Sequence, residues 1–571
     1  MHHTFRGKSR FKRFLTARNR IYQILLAVVL VSAYPLVADF YTKGEPREAL
    51  VAQAMMEDGT FILPRVYADE VAYKPPMFHW METAFSAFTG GEVTPLSARL
   101  PSTAAIFVLA AGLFLFLSQR RPISLSLLAS FIFLSALDPH RFGIIARVDM
   151  LLTAFICLAL LALYKWDEHN DRTGLPWPAI LLMSGGFLTK GPVGVVLPLL
   201  IFFVFGCIRR YPLGAFVLKL VAIGLLSSLL PLIWYFLAWQ QAGDTFLNMV
   251  WSENFHRFLG IDDKDLFYNL GHEGKFFKPS IYFILGFIPW TLFVFFVRFR
   301  REASEESPKD SLRLFATVVA VTTLVFYMIP MSKSSSYLLP MYPFVSFLVA
   351  EGIYSFVRKE DSRMIYFSGL IGLLGAILLA AMVSLQIFGG AETKLFGADL
   401  SIFAEGLRRR MGLSLFGELL LILGILTILY QMIRRNFHKL AFATVFMVFI
   451  IHFNIDVPAL SFYKEQNSAR PFAVKTTSLT RDSELYVISD LRDGYYNLYG
   501  YAFYSKNRPL SFETADSPRE GYLLIWEKDY DRVLSEKLAG YRVEKVLSDI
   551  RAIKEGGKML LLKFQRDDRL K

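Results

Sequence analysis

The residues of this chain that could do chemistry sit at the ends of apolar runs. Glu45 lies in Lys43-Gly44-Glu45-Pro46-Arg47-Glu48, just after the first apolar run, between residues that tighten the backbone and beside Arg47. A carboxylate fixed beside a hydroxyl can take its proton, and Glu45 is the candidate here, with Glu48 as rival. Asp149, in Ala146-Arg147-Val148-Asp149-Met150, opens another apolar run. An ionisable group at membrane depth is costly and is a functional hypothesis by default; an internal ion pair with Arg147 or Arg141 is the plainer reading. Four cations accompany these acids. Lys74 follows Tyr73 and precedes two prolines, with Trp80 beyond; Lys190 stands in Thr189-Lys190-Gly191-Pro192; Arg257 lies in Glu253–Gly260; Lys333 lies in Ser332–Tyr337. An ammonium or guanidinium held in place suits a phosphate or diphosphate, and headgroup anchoring is the alternative for each. His79 and His256 have no second ligand at a familiar spacing, so no metal site is assigned.

The elements that must hold these residues are apolar spans. The chain has 571 residues, 54% of them hydrophobic, with 53 Phe and a net charge of +13. Its mean hydropathy of +0.40 fits a polytopic membrane protein. The basic residues fall in short clusters between apolar runs, which argues for membrane orientation and against nucleic acid. The two cysteines, Cys157 and Cys207, lie inside apolar runs and define no disulfide framework. The basic stretch before 21–38 reads as a retained signal-anchor helix. Further spans are expected over 97–118, 123–137, 144–164, 176–188, 191–207, 213–239, 280–297, 314–330, 337–356, 364–388, 412–433 and 439–456.

With the N-terminus in the cytoplasm, the following basic inter-span clusters fall on the cytoplasmic side: Arg120/Arg121, Lys165/Arg172, Arg209/Arg210, 298–313, Arg358/Lys359/Arg363 and Arg434/Arg435/Lys439. The opposite side receives the long loops 39–96 and 240–279, Asp138–Arg141, Lys190, Lys333 and the C-terminal region. The expected fold class is thus an α-helical polytopic membrane protein of about thirteen helices with a small C-terminal α/β domain on the periplasmic side. The domains divide as 1–459 and 460–571. In the second, strands are expected at Leu485–Ile488, Gly521–Trp526 and Met559–Phe564, and a helix at Tyr530–Leu538; it carries no catalytic motif.

Several segments together carry a family likeness: the first loop from Gly44 to Trp80, then ARVDMLLTAF, GGFLTKGPVGVVLPLL, WSENFHRFLG, YFILGFIPW and SKSSSYLLPMYPFVSFLVA. In this order they resemble the bacterial GT-C glycosyltransferases of the protein mannosyltransferase superfamily (glycosyltransferase family 39), to which the 4-amino-4-deoxy-L-arabinose lipid A transferases belong. The likeness covers roughly residues 20–460. It implies a bacterial inner-membrane enzyme that uses a polyprenyl-phosphate-linked sugar and transfers it on the periplasmic side. It also implies catalytic roles for Glu45 and Asp149, and lipid-phosphate contacts for Lys74 and Arg257. Lys190, Lys333, Arg47, Tyr73 and Trp80 complete the substrate-binding set. Two departures stand out. The family's first-loop motif commonly carries Asp-Glu where this chain has Gly44-Glu45. An acid and a histidine that help hold a metal in the aminoarabinose transferases are here Tyr73 and Asn254. These departures weigh against zinc and against the same substrate, so no cofactor is assigned and a divalent metal stays open.

The function these features imply is transfer of the sugar to lipid A, another envelope glycan or protein Ser/Thr, by a single inverting displacement at a cavity shared by Glu45 and Asp149, in a monomeric protein. A transporter or flippase of a lipid-linked sugar is the rival, and a non-catalytic assembly factor is a third. Transporters often show internal repeats and polar groups spread through midplane spans, whereas here polar groups gather at one boundary. Reporter fusions at Lys359 and after Arg470 are expected to report opposite sides of the membrane; the same side for both would overturn the orientation.

Overall fold

The computed structural model describes residues 19–29, 33–42, 44–66, 72, 74–170, 172–252, 274–296, 310–389, 394–395, 398–481, 483–488, 495–505, 509–513, 515, 518–549 and 558–567. The chain divides into two compact units: Met1–Leu36 with Pro101–Phe462, and Val37–Leu100 with Tyr463–Lys571. The first long loop therefore groups with the C-terminal region.

The first unit is a helical membrane body, and the chain is a multi-pass membrane protein. Among the described residues eight helices are long and apolar enough to cross a membrane, or ten if each of two bent pairs counts as one span. The bent pairs are Ile123–Ser135 with Leu137–Gly143, at 70°, and Lys278–Gly286 with Trp290–Phe296, at 95°. Thirteen spans were expected from the apolar runs. The other three runs are the short helices Asn19–Val29, Trp177–Lys190 and Val193–Ile208. At 1.5 Å per residue, the 16-residue Val193–Ile208 helix falls short of a hydrocarbon core about 30 Å thick. At one end of the body, Arg121 pairs with Glu351 at 2.8 Å and with Asp310, and Arg313 pairs with Glu351 at 2.6 Å. These pairs join loops that the charge alternation puts on one side.

The segment around Lys190 shows how the sequence shapes a break. The Trp177–Lys190 helix stops at Gly191, whose φ of 86° suits glycine. The chain then turns through Pro192 into Val193–Ile208. A Cβ on Gly194 would run into the backbone of Gly186 and Phe187, so the two helices approach backbone to backbone. Lys190 is thereby fixed at the end of a helix hairpin.

In the second unit, the Gly44–Asp58 helix packs on Met77–Phe88 and on Tyr495–Ser505. Phe40 N–H donates to Tyr504 Oη at 2.7 Å, and Arg470 pairs with Asp39 at 3.1 Å. The C-terminal region holds a five-stranded sheet in the order Leu510–Ser511, Leu485–Val487, Glu520–Trp526, Met559–Arg566, Tyr541–Ser548. The first three strands run parallel and the remaining pairings are antiparallel. Side chains two apart share a face. Tyr486, Ile488, Leu523, Ile525, Leu560, Leu562 and Phe564 thus form one core with Val533 and Leu538. On the opposite face Trp526 meets Tyr501, which meets Phe472. The three expected strands and the 530–536 helix are present. The charged edge strand Tyr541–Ser548, which carries a register shift between Lys545 and Leu547, was not anticipated.

Gly194→Ala is expected to destabilise the membrane body by about 1–3 kcal/mol, the usual cost of overpacking. It should lower the apparent melting temperature in detergent, whereas Gly214→Ala, which meets open space, should not. Equal melting temperatures would remove the close approach as a requirement.

Candidate active site: two buried carboxylate clusters

The first cluster is built on the Gly44–Asp58 helix. Glu45 and Glu48, one turn apart, are both buried. Glu45 is fully enclosed, and both of its oxygens are taken. Arg99 donates from Nε to Oε1 at 2.7 Å and from NH2 to Oε2 at 3.2 Å, and the Thr42 hydroxyl reaches Oε2 at 3.2 Å. Arg99, itself 1% exposed, also donates to the carbonyls of Ala38 and Asp39 and lies over the Phe40 ring. This bidentate pair locks the start of the helix to the segment before it. Arg99 was not singled out in the sequence; its only signal is a cation at the head of an apolar run.

Glu48 is bridged by two donors. Lys74 Nζ meets Oε1 at 2.5 Å, and His79 Nε2 meets Oε2 at 2.9 Å. Burial pushes the Glu48 carboxyl up, but Lys74, His79 and Arg47 more than reverse this, and it stands well below its ordinary value. Burial likewise lowers His79, against the pull of Glu48. An ionised Glu48 only accepts, so neutral His79 carries its proton on Nε2. Its Nδ1 is buried and meets no partner among the described residues. One turn on, Glu82 is fully buried with neither oxygen hydrogen-bonded among the described residues. Burial first, and then the charge of Glu48, raise its carboxyl well above the ordinary value, against the pull of Lys74. Glu82 too was missed; its signal is the i, i+3 spacing from His79 on one helix face.

The remaining first-loop residues have supporting contacts. Trp80 Nε1 donates to the Phe61 carbonyl at 2.9 Å, and the Arg47 guanidinium lies 5.8 Å from the Tyr499 ring centroid. Tyr73 lies outside the described residues, as do Arg257, Asn254, His256 and Glu70.

The second cluster is in the membrane unit. Asp149, in the first turn of the Val148–Asn170 helix, is 2% exposed. Lys190 Nζ meets its Oδ1 at 2.5 Å, and Arg147 Nε lies 3.5 Å from Oδ2. Oδ2 has no hydrogen-bond partner among the described residues. Lys190 also lies 4.9 Å from the Tyr337 ring centroid, and both cations keep part of their side chains accessible. The sequence named both readings of Asp149, and the pairing with Arg147 and Lys190 is what the fold shows. Lys333 is differently employed. It is buried and donates to the carbonyls of Met328, at 2.6 Å, of Pro330, and of Tyr327. It therefore caps the C-terminal end of the Ser311–Met328 helix.

Comparison with known proteins agrees with this architecture. Residues 73–235 match the model of the dolichyl-phosphate-mannose-protein mannosyltransferase family. An undecaprenyl phosphate-alpha-4-amino-4-deoxy-L-arabinose arabinosyl transferase of Aeromonas hydrophila is 24% identical over 383 residues, 64% of this chain and 66% of that protein. An uncharacterised protein of Aquifex aeolicus is 27% identical over 385 residues, 64% of this chain and 71% of its own. The chain thus aligns with about two thirds of the length of the curated relatives it matches. The crystal structure of ArnT from Cupriavidus metallidurans bound to undecaprenyl phosphate superposes with a TM-score of 0.69 at 16% identity, covering 95% of this chain and 97% of that one. The fold is that of a GT-C membrane glycosyltransferase. In sequence and fold the chain is thus similar to the glycosyltransferases its motifs resemble.

Because the fold raises the Glu82 carboxyl, its contribution is fully present below the ordinary carboxyl pKa of about 4.3 and is lost as pH rises through the raised value. Glu82→Gln removes that loss. Its apparent melting temperature should gain on the native protein between pH 5 and pH 9, by about 2 °C or more. Parallel profiles would show that Glu82 does not titrate in this way.

Proposed function

We propose that this protein is a glycosyltransferase that moves a sugar from a polyprenyl-phosphate donor to an acceptor at the periplasmic face of the bacterial inner membrane, inverting the anomeric centre. The observation that carries this reading is Asp149: a buried carboxylate at a helix start, flanked by Lys190 and Arg147, with one oxygen not hydrogen-bonded among the described residues. An acceptor hydroxyl oxygen attacks the anomeric carbon. The bond from that carbon to the phosphate oxygen breaks, and polyprenyl phosphate leaves. Asp149 Oδ2 orients the hydroxyl, whose proton passes to the departing phosphate as the new bond forms, while the Lys190 ammonium opposes the charge growing on that phosphate.

In the other unit Lys74 is a cation of the same use. Glu48 holds it in place and leaves a quarter of its side chain accessible. A carboxylate held this far below its ordinary pKa is a weak base, which makes Glu48 a positioning residue for Lys74. Glu45, with both oxygens bound to Arg99, serves the fold of the first loop more than proton transfer. Arg257 remains a candidate phosphate contact by resemblance. The names of the relatives favour an undecaprenyl carrier; lipid A, another envelope glycan and protein Ser/Thr are the candidate acceptors.

Asp149→Asn should lower turnover by roughly 10²–10⁴-fold with donor binding retained. Lys74→Ala and Lys190→Ala should each weaken transfer by about tenfold or more, the loss of one charge-assisted contact of roughly 1.5–3 kcal/mol. Glu45→Gln should instead cost about 3 kcal/mol of stability, by leaving Arg99 buried without its counter-charge. Turnover assays on a polyprenyl-phosphate sugar, with donor binding and melting temperature measured alongside, separate these outcomes. Full turnover in Asp149→Asn would remove the assignment. Mass spectrometry of lipid A and envelope glycans from a deletion strain identifies the acceptor.

A further inference from the structure

The Asp138-Pro139-His140-Arg141 segment, singled out in the sequence as a polar break between apolar runs, has no part in the reaction above. It forms the Leu137–Gly143 helix that bends away from Ile123–Ser135 by 70°. Its His140 is buried and meets two other buried groups from different segments: His452, on the Phe437–Asn454 helix, and Asp456, on the π-helical turn Ile455–Leu460. One ligand atom from each of the three lies within 4.8 Å of the others. His140 Nε2 stands 2.6 Å from Asp456 Oδ2, and the two imidazole rings lie 4.1 Å apart, tilted by 32°.

We propose that His140, His452 and Asp456 form a binding site for a divalent transition-metal ion of the zinc class. Two imidazoles and one carboxylate are a ligand set that such ions take and that calcium or magnesium do not favour. The orientation of His452 is fixed from outside the triad: its Nε2–H donates to the Ser135 carbonyl at 2.9 Å, which leaves Nδ1 with a free lone pair. π-Helical turns of this kind recur where a side chain must be re-aimed at a site, and this one carries Asp456 to His140. The ion takes the place of the proton between His140 Nε2 and Asp456 Oδ2. Those atoms then open from 2.6 Å to about 3.3 Å, the separation of two ligands at about 2.0–2.1 Å in a tetrahedral shell. The ion ties the bent segment to the last membrane helix, so its role is structural.

The test uses the full-length protein, purified in detergent with any affinity tag removed, stripped with chelator and dialysed against Zn²⁺ or Co²⁺. Elemental analysis should find about one ion per chain in the native protein and less than about 0.2 in His452→Gln and in Asp456→Asn. The Co²⁺ form should show visible ligand-field bands that both variants lack. Zn²⁺ should raise the apparent melting temperature of the native protein and leave that of the variants unchanged, a comparison each variant makes against its own metal-free form. No bound ion in the native protein, or equal metal content in native protein and both monodisperse variants, would overturn the proposal. None of these readouts depends on sugar transfer.

Discussion

A carboxylate removed from water has to find positive charge or give up its own. This chain uses both solutions, and its functional residues follow from them. Glu45 is answered by Arg99 in a bidentate pair, Glu48 by Lys74 with help from His79, and Asp149 by Lys190 with Arg147 nearby. Glu82 has no hydrogen-bonded cation among the described residues, and burial raises its carboxyl well above the ordinary value. The three pairs differ in how much of the cation stays accessible: Arg99 is sealed in, whereas Lys74, Lys190 and Arg147 are part-exposed. Burial of an unpaired charge costs several kcal/mol, so each acid fixes where its partner's charge must stand. The carboxylates thus set the geometry of the cations, which is the property a phosphate-handling protein needs.

The same accounting applies to backbone groups at membrane depth. A helix that ends inside a body must have its last carbonyls satisfied. Lys333 does this for Ser311–Met328, its ammonium donating to three carbonyls. At Lys190 the break is shaped by glycines, and the ammonium is left free to reach Asp149. Two lysines that look alike in the sequence, each at the edge of an apolar run, have opposite uses because one meets carbonyls and the other a carboxylate.

Much of the helical body was legible, because a bilayer makes long apolar runs diagnostic, and ten of the thirteen runs match membrane-length helices or bent pairs among the described residues. Bends at Leu137 and Phe287 were not legible, since hydropathy records apolarity and not direction. The grouping of the first loop with the C-terminal region was equally hidden, because it rests on long-range contacts such as Phe40 with Tyr504. At the candidate site, Asp149, Lys190 and Lys74 announced themselves as charges out of place. Arg99 and Glu82 did not, since what matters about them is the absence of water around them. Strand Tyr541–Ser548 escaped for a related reason: alternating charge on an edge resembles a solvated loop.

That strand has a consequence for the whole C-terminal sheet. The two outermost strands of a sheet offer unpaired N–H and C=O groups to any passing chain. One border here is only two residues long, Leu510–Ser511. The other carries Arg542, Glu544 and Lys545, and its pairing slips just beyond Lys545. A short border at one side and a charged, irregular one at the other make poor templates for strand addition, so the sheet is built to resist recruitment into cross-chain ribbons.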